Sequence, residues 1–119
     1  AGGSYFPATV LTNVPTTADI AHSEIFGPVV AIQTFATEDE GIAMANDTPF
    51  GLAAYVFAGD TGRALTIAER IEAGMVAINK GTISDPAAPF GGVKESGVGR
   101  EGGMEGIGEY LEPKYISLP

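Results

Sequence analysis

Leu52-Ala53-Ala54-Tyr55-Val56-Phe57-Ala58-Gly59-Asp60, followed downstream by Gly74-Met75-Val76-Ala77-Ile78-Asn79, is the stretch on which the fold of this chain turns. An unbroken apolar run closed by Gly59 suits a strand covered on both faces. Asp60 stands where a helix N-cap belongs. Leu65, Ala68 and Ile71 then recur at helical spacing with Ile67 beside them, and Gly74 occupies the place of a left-handed C-terminal residue. Met75 to Asn79 reads as the next strand. Strand, helix, strand without a hairpin turn predicts parallel pairing through a right-handed crossover.

The same alternation extends toward the N-terminus. Val29 to Phe35 is a β-branched apolar run bounded by Gly27-Pro28, and predicts a strand. Thr37-Glu38-Asp39-Glu40 fits a capping box, opening a helix that carries Ile42, Ala43 and Ala45. That helix must stop near Asn46-Asp47-Thr48-Pro49, because the residue before a proline is driven out of helical geometry. The order strand, helix, strand, helix, strand predicts an α/β chain with a parallel sheet, half of an open α/β domain. Toward the C-terminus, Lys80 to Gly103 is rich in glycine, proline and small polar residues and predicts a long loop, of a kind that is usually functional or mobile. Met104 to Leu111 suits a short helix. Lys114 to Leu118 reads as an isolated strand that must pair with something.

Composition narrows the function. Hydrophobic residues make up 45% and charged ones 18% of 119 residues, which is a globular composition within the size of one domain. A net charge of −9 with six Lys and Arg lacks the basic stripe that neutralises phosphates, so no nucleic-acid partner is expected. No apolar run approaches the roughly 20 residues of a membrane span, and no secretory signal is recognisable; the expectation is no membrane partner and a cytoplasmic protein. The chain begins Ala1-Gly2-Gly3 without an initiator Met and reads as part of a longer protein.

Four local patterns invite chemistry. Gly97-Val98-Gly99-Arg100-Glu101-Gly102 matches G-x-G-x-x-G, but the dinucleotide fingerprint needs a buried strand directly before it and an acidic residue about 20 positions later. The expectation is a tight backbone path. The carboxylates Glu38, Asp39 and Glu40 fan out from a first helical turn, where the helix dipole accounts for them. His22, the single histidine, is expected to be a solvated loop residue, since one imidazole is a weak metal signal. No metal site is predicted, and a Ser–His–Asp triad through His22 lacks its elbow motif. The absence of cysteine removes disulfides, thiolate ligands and thiol nucleophiles together.

Three stretches stand in register: Glu24-Ile25-Phe26-Gly27-Pro28-Val29, Asn46 to Ala54 (Asn-Asp-Thr-Pro-Phe-Gly-Leu-Ala-Ala), and Pro89 to Gly102 (Pro-Phe-Gly-Gly-Val-Lys-Glu-Ser-Gly-Val-Gly-Arg-Glu-Gly). In that order the chain resembles, over essentially its whole length, the C-terminal portion of the aldehyde dehydrogenase superfamily. The resemblance implies part of an open three-layer, parallel-sheet catalytic domain over residues 1–103, with a short helix and an oligomerisation strand over 104–119. It implies oxidation of an aldehyde to an acid with NAD or NADP: a cysteine thiolate attacks the aldehyde, hydride passes to the nicotinamide, and a glutamate assists water in releasing the acid. No catalytic residue can be carried over, because the cysteine, the glutamate and most of the dinucleotide-binding domain lie N-terminal to these motifs; the piece alone is expected to be inactive. Glu24 matches the carboxylate that accepts from the nicotinamide-side ribose, and Phe26 the aromatic residue packed near it. Phe90 matches a position lining the aldehyde tunnel. Asn79-Lys80-Gly81-Thr82-Ile83-Ser84-Asp85 looks like the succinate-semialdehyde branch, where a serine at the place of Ser84 helps hold the far carboxylate. Glutarate semialdehyde or another carboxylated aldehyde, and a non-catalytic oligomerisation module of the same fold, are the alternatives. The implied partners are a small aldehyde, the remainder of the dehydrogenase chain, and further copies of itself, with Lys114 to Leu118 adding to a neighbouring subunit's sheet.

Overall fold

The computed structural model describes residues 3–119, and its backbone falls into two units, Ala1–Thr48 and Pro49–Pro119. In the first, β1 (Thr9–Leu11) and β2 (Val29–Ala31) form a parallel pair in the register Thr9↔Val29 to Leu11↔Ala31. Between them runs one helical turn, α1 (Asp19–His22). The ladder carries on for one rung beyond β2, where the Ile32 N–H donates to the Leu11 carbonyl at 2.8 Å. The strand expected over Val29 to Phe35 is thus paired only as far as its short partner reaches.

α2 (Glu38–Asn46) follows. Thr37 Oγ1 accepts from the Glu40 N–H at 3.2 Å, while Glu40 Oε2 reaches back to the Ala36 N–H at 2.7 Å. One amide that the first helical turn would leave unpaired, that of Glu40, is thereby satisfied by the N-cap, while the return bond goes one residue past the N-cap, to Ala36. Ile42 is its buried residue.

The second unit is built on β4 (Ala53–Val56) and β5 (Met75–Ile78), parallel in the register Ala53↔Met75 to Val56↔Ile78 and joined by α3 (Thr61–Arg70). Preceding β4 in the chain is β3 (Phe50–Gly51), antiparallel to β6 (Val93–Lys94). A 3-10 helix, Glu105–Tyr110, follows. Asp60 caps α3 as expected, its Oδ1 accepting from the Arg63 N–H at 2.6 Å.

Four expectations change. The strands do not form one continuous sheet but separate two-stranded ladders, β1–β2, β3–β6 and β4–β5. On α3 the buried residue is Ala64, at 0% exposure, whereas Leu65 is 52% exposed. The stripe is Ala64, Ile67, Ala68 and Ile71, and α3 packs on β4 and β5. Gly74 is not the left-handed terminator of α3, which ends at Arg70 with an extended cap at Ile71. Its role is close approach: a Cβ there would strike the Gly91 carbonyl. Lys114 to Leu118 forms no strand among the described residues, and its side chains are exposed.

Because Asp60 Oδ1 caps α3 through the Arg63 N–H, Asp60→Ala should cost about 1 kcal/mol in urea unfolding, and Asp60→Ser should recover most of it. Equal losses in both variants would mean that capping is not the contribution Asp60 makes.

Candidate functional site

The long segment after β5 is ordered by its own backbone. Asp85 Oδ1 accepts from the Ala87 N–H at 2.9 Å and its carbonyl from the Ala88 N–H at 3.1 Å, making a side-chain-capped turn. The carboxylate beside Ser84 is therefore used within the turn. Phe90 and Glu101 exchange amide hydrogen bonds of 2.6 and 2.7 Å, closing the glycine-rich stretch into a loop. Inside it, Arg100 Nη1 donates to the carbonyls of Gly92 and Gly99 at 2.8 and 2.6 Å. Ser96 Oγ accepts from the Gly51 N–H at 2.9 Å and fastens the loop to β3. Gly97, Gly99, Gly102 and Gly103 all have positive φ, so the G-x-G-x-x-G letters describe a sharply turned backbone, as their context predicts.

Between this loop and the 3-10 helix lies a cleft of 780 Å³ whose walls include Leu52, Phe90, Arg100, Glu101, Ile107 and Tyr110. Phe90 presents a partly exposed ring to it, 37% accessible. Ser84 stands on the same segment, exposed, but does not line the cleft. Arg100 is the cation of the wall, with one nitrogen already committed to two carbonyls. Sequence reasoning assigned no role to Arg100 or Ser96; the signal was their position in a glycine-rich run, where few side chains are available to hold the backbone.

Glu24 and Phe26 share one loop of the first unit, entering β2. Both side chains are exposed, Phe26 at 94%. A carboxylate and an aromatic face two positions apart, neither buried, suit a ligand that offers hydroxyls beside a flat apolar ring. Among the described residues, no three His, Cys, Asp or Glu side chains gather as metal ligands, and no helix is long and apolar enough to cross a membrane.

His22 lies not in a loop, as expected, but at the end of a helical turn, and it remains accessible to solvent. It ends α1, with Nε2 at 2.5 Å from the Thr16 carbonyl and Nδ1 at 2.9 Å from the Asp47 carbonyl. A carbonyl accepts only, so the imidazolium, which donates from both ring nitrogens, is the form that satisfies both contacts. The Thr16 carbonyl, then the Asp47 carbonyl, raise its pKa above 6.5; desolvation opposes them, and the charges of Asp47 and Asp19 assist. With both nitrogens occupied, His22 offers no base to a serine.

A parallel α/β unit, with a glycine-rich loop fastened at the amino ends of β4 and β5 and a cleft beside that loop, is an architecture that enzymes of many kinds share. The pattern of the aldehyde dehydrogenase family matches residues 1–116, and the chain belongs to that family. It is 53% identical over 116 residues to succinate-semialdehyde dehydrogenase of Paenarthrobacter nicotinovorans, covering 98% of this chain and 26% of that protein. With glutarate-semialdehyde dehydrogenase of Pseudomonas aeruginosa it shares 51% identity over 117 residues, covering 98% of this chain and 24% of that protein. A crystal structure of a betaine aldehyde dehydrogenase double mutant from Staphylococcus aureus in complex with NAD+ superposes with a TM-score of 0.89 at 46% identity, over 94% of this chain and 22% of that one. The α/β fold is that of these dehydrogenases, and the chain spans about a quarter of the length of the relatives it matches.

The His22 contacts predict a pH dependence. A folded-state pKa above the unfolded value means stability that is present in full below about pH 6.5 and is lost as pH rises through the folded value. Ring-proton NMR should show His22 titrating above its unfolded value, and His22→Ala should flatten that part of the stability profile. A His22 titrating at or below the unfolded value would contradict the two-carbonyl arrangement.

Proposed function

We propose that this chain is the C-terminal part of an NAD- or NADP-dependent dehydrogenase that oxidises a carboxylated aldehyde, succinate semialdehyde first, to the corresponding acid. The observation that carries the reading is the match over 98% of the chain to semialdehyde dehydrogenases, taken with the position of Ser84 on the segment leaving the carboxyl end of β5. That end of a parallel unit is where α/β enzymes take their ligands.

In this reading Glu24 accepts from the ribose hydroxyls of the dinucleotide and Phe26 lies against the ribose and nicotinamide. The cofactor, when bound, supplies a hydride acceptor. Phe90 walls the aldehyde chain and excludes water from it. Ser84 donates its hydroxyl to the far carboxylate, sharing that charge with groups from outside this chain. The chain has no cysteine, so the nucleophile would come from the portion of the dehydrogenase that it does not span. Lys114 to Leu118, with Tyr115 89% and Ile116 71% exposed, would add to the sheet edge of another subunit.

Succinate and glutarate semialdehydes differ by one methylene, worth only about 1–3 kcal/mol of discrimination. The test is therefore charge, not length. In the whole-length enzyme Ser84→Ala should raise KM for succinate semialdehyde about tenfold and leave KM for butanal unchanged. Equal turnover of the two aldehydes by the wild-type enzyme would sink the carboxylated-substrate reading. Removal of residues 113–119 should shift the enzyme to smaller assemblies in light-scattering chromatography; an unchanged mass would count against the terminal strand.

A further inference from the structure

The parallel ladder of β4 and β5 ends in an unusual way. Val56 stands opposite Ile78, and the Asn79 N–H donates to the Val56 carbonyl at 2.9 Å. In a regular parallel ladder the next rung would run from the Ala58 N–H to the main-chain carbonyl of Asn79, and the one after from the amide of residue 81 back to the Ala58 carbonyl. In their place, the Ala58 N–H donates to Asn79 Oδ1 at 2.9 Å, and Asn79 Nδ2 donates to the Ala58 carbonyl at 2.9 Å. One side-chain amide stands in for two backbone groups. The main chain of Asn79, at φ 52, is thereby free to turn out of the sheet without leaving Ala58 unpaired.

The geometry points to Asn79 as a positioning residue that aims the segment leaving β5, and with it Ser84, away from the ladder and toward the substrate. The inference rests on the semialdehyde reading for its substrate, but not for its structural content. Asparagine alone satisfies all the conditions at once. It tolerates the left-handed region better than other residues with a side chain, and it carries a donor and an acceptor on one planar group. Aspartate would keep the acceptor for Ala58 N–H and set a second oxygen against the Ala58 carbonyl. Glycine would keep the turn and lose both bonds. Glutamine would carry the amide one methylene too far.

Two variants of the whole-length dehydrogenase test this, Asn79→Asp and Asn79→Gly, so that a folding failure of one leaves the other. Both should raise KM for succinate semialdehyde about tenfold, keep kcat within about twofold and leave KM for the dinucleotide unchanged, because only the aim of the substrate segment alters. Amide hydrogen exchange should quicken across Lys80 to Phe90 while Ala53–Val56 and Met75–Ile78 keep their protection. Protection lost throughout both strands, or no change in exchange and KM, would overturn the assignment. The exchange readout needs no turnover: an enzyme inactive on every aldehyde would end the semialdehyde reading, while exchange would still decide the role of Asn79.

Discussion

The backbone of Gly91 passes so close to Gly74 that no side chain fits between them; a Cβ on Gly74 would meet the Gly91 carbonyl, and one on Gly91 would lie 2.6 Å from the Gly99 carbonyl. Much of the second unit depends on that stacking of bare backbone. It brings the glycine-rich loop onto the segment entering β5, where the Gly74 N–H also donates to the Gly51 carbonyl at 2.9 Å. β3, β5 and the loop are thus held through main-chain atoms, with Ser96 and Arg100 supplying the side-chain bonds. The position of Phe90 follows, since Phe90 is paired to Glu101 at the mouth of the same loop.

Little of the chain is buried. Ile42 is the buried hydrophobic residue of the first unit and Ala64, Met75 and Ala77 those of the second, among the described residues, while Val30, Phe35, Tyr55 and Phe57 are between 47% and 68% exposed. Apolar side chains on both faces of short parallel strands are the pattern of a sheet covered by helices on each side. Such faces gain stability only when something covers them, by roughly 25 cal/mol for each Å² removed from water. In a dehydrogenase of which this chain is about a quarter, the rest of the protein would be that cover.

Local signals in the sequence located the caps of α2 and α3, because Thr37, Glu40 and Asp60 act on amides three or four residues away. The β4–β5 pair was legible for a similar reason: an apolar run, a capped helix and a second apolar run lie in order. What depends on distant partners was not legible. β3 and β6 are each two residues long, and Ser96 meets Gly51 across 45 positions, so neither carries periodicity of its own. Gly74 was misread because a glycine after a helix serves a left-handed cap or a close approach equally well, and only the neighbouring backbone decides. α1 is a single turn with no amphipathic pattern to announce it, and the two carbonyls around His22 have no signature in residue types at all. Of the candidate site, the resemblance supplied Glu24, Phe26, Ser84 and Phe90; their burial and spacing alone would have singled out none of them.

The G-x-G-x-x-G letters show why context decides. A phosphate-binding loop offers amides that point outward, unpaired, from the start of a helix that follows a buried strand. Here the stretch follows β6 and a turn, and leads into a 3-10 helix. Within it the Glu101 N–H donates to the Phe90 carbonyl, and just beyond it Gly103 N–H donates to Pro86 and Gly106 N–H to Gly102. The positive charge of Arg100 is likewise directed at the carbonyls of Gly92 and Gly99. Donors already satisfied by the loop's own carbonyls have nothing to gain from an anion. The same glycines that elsewhere let a backbone approach a pyrophosphate here let it approach itself, and the loop serves as a wall.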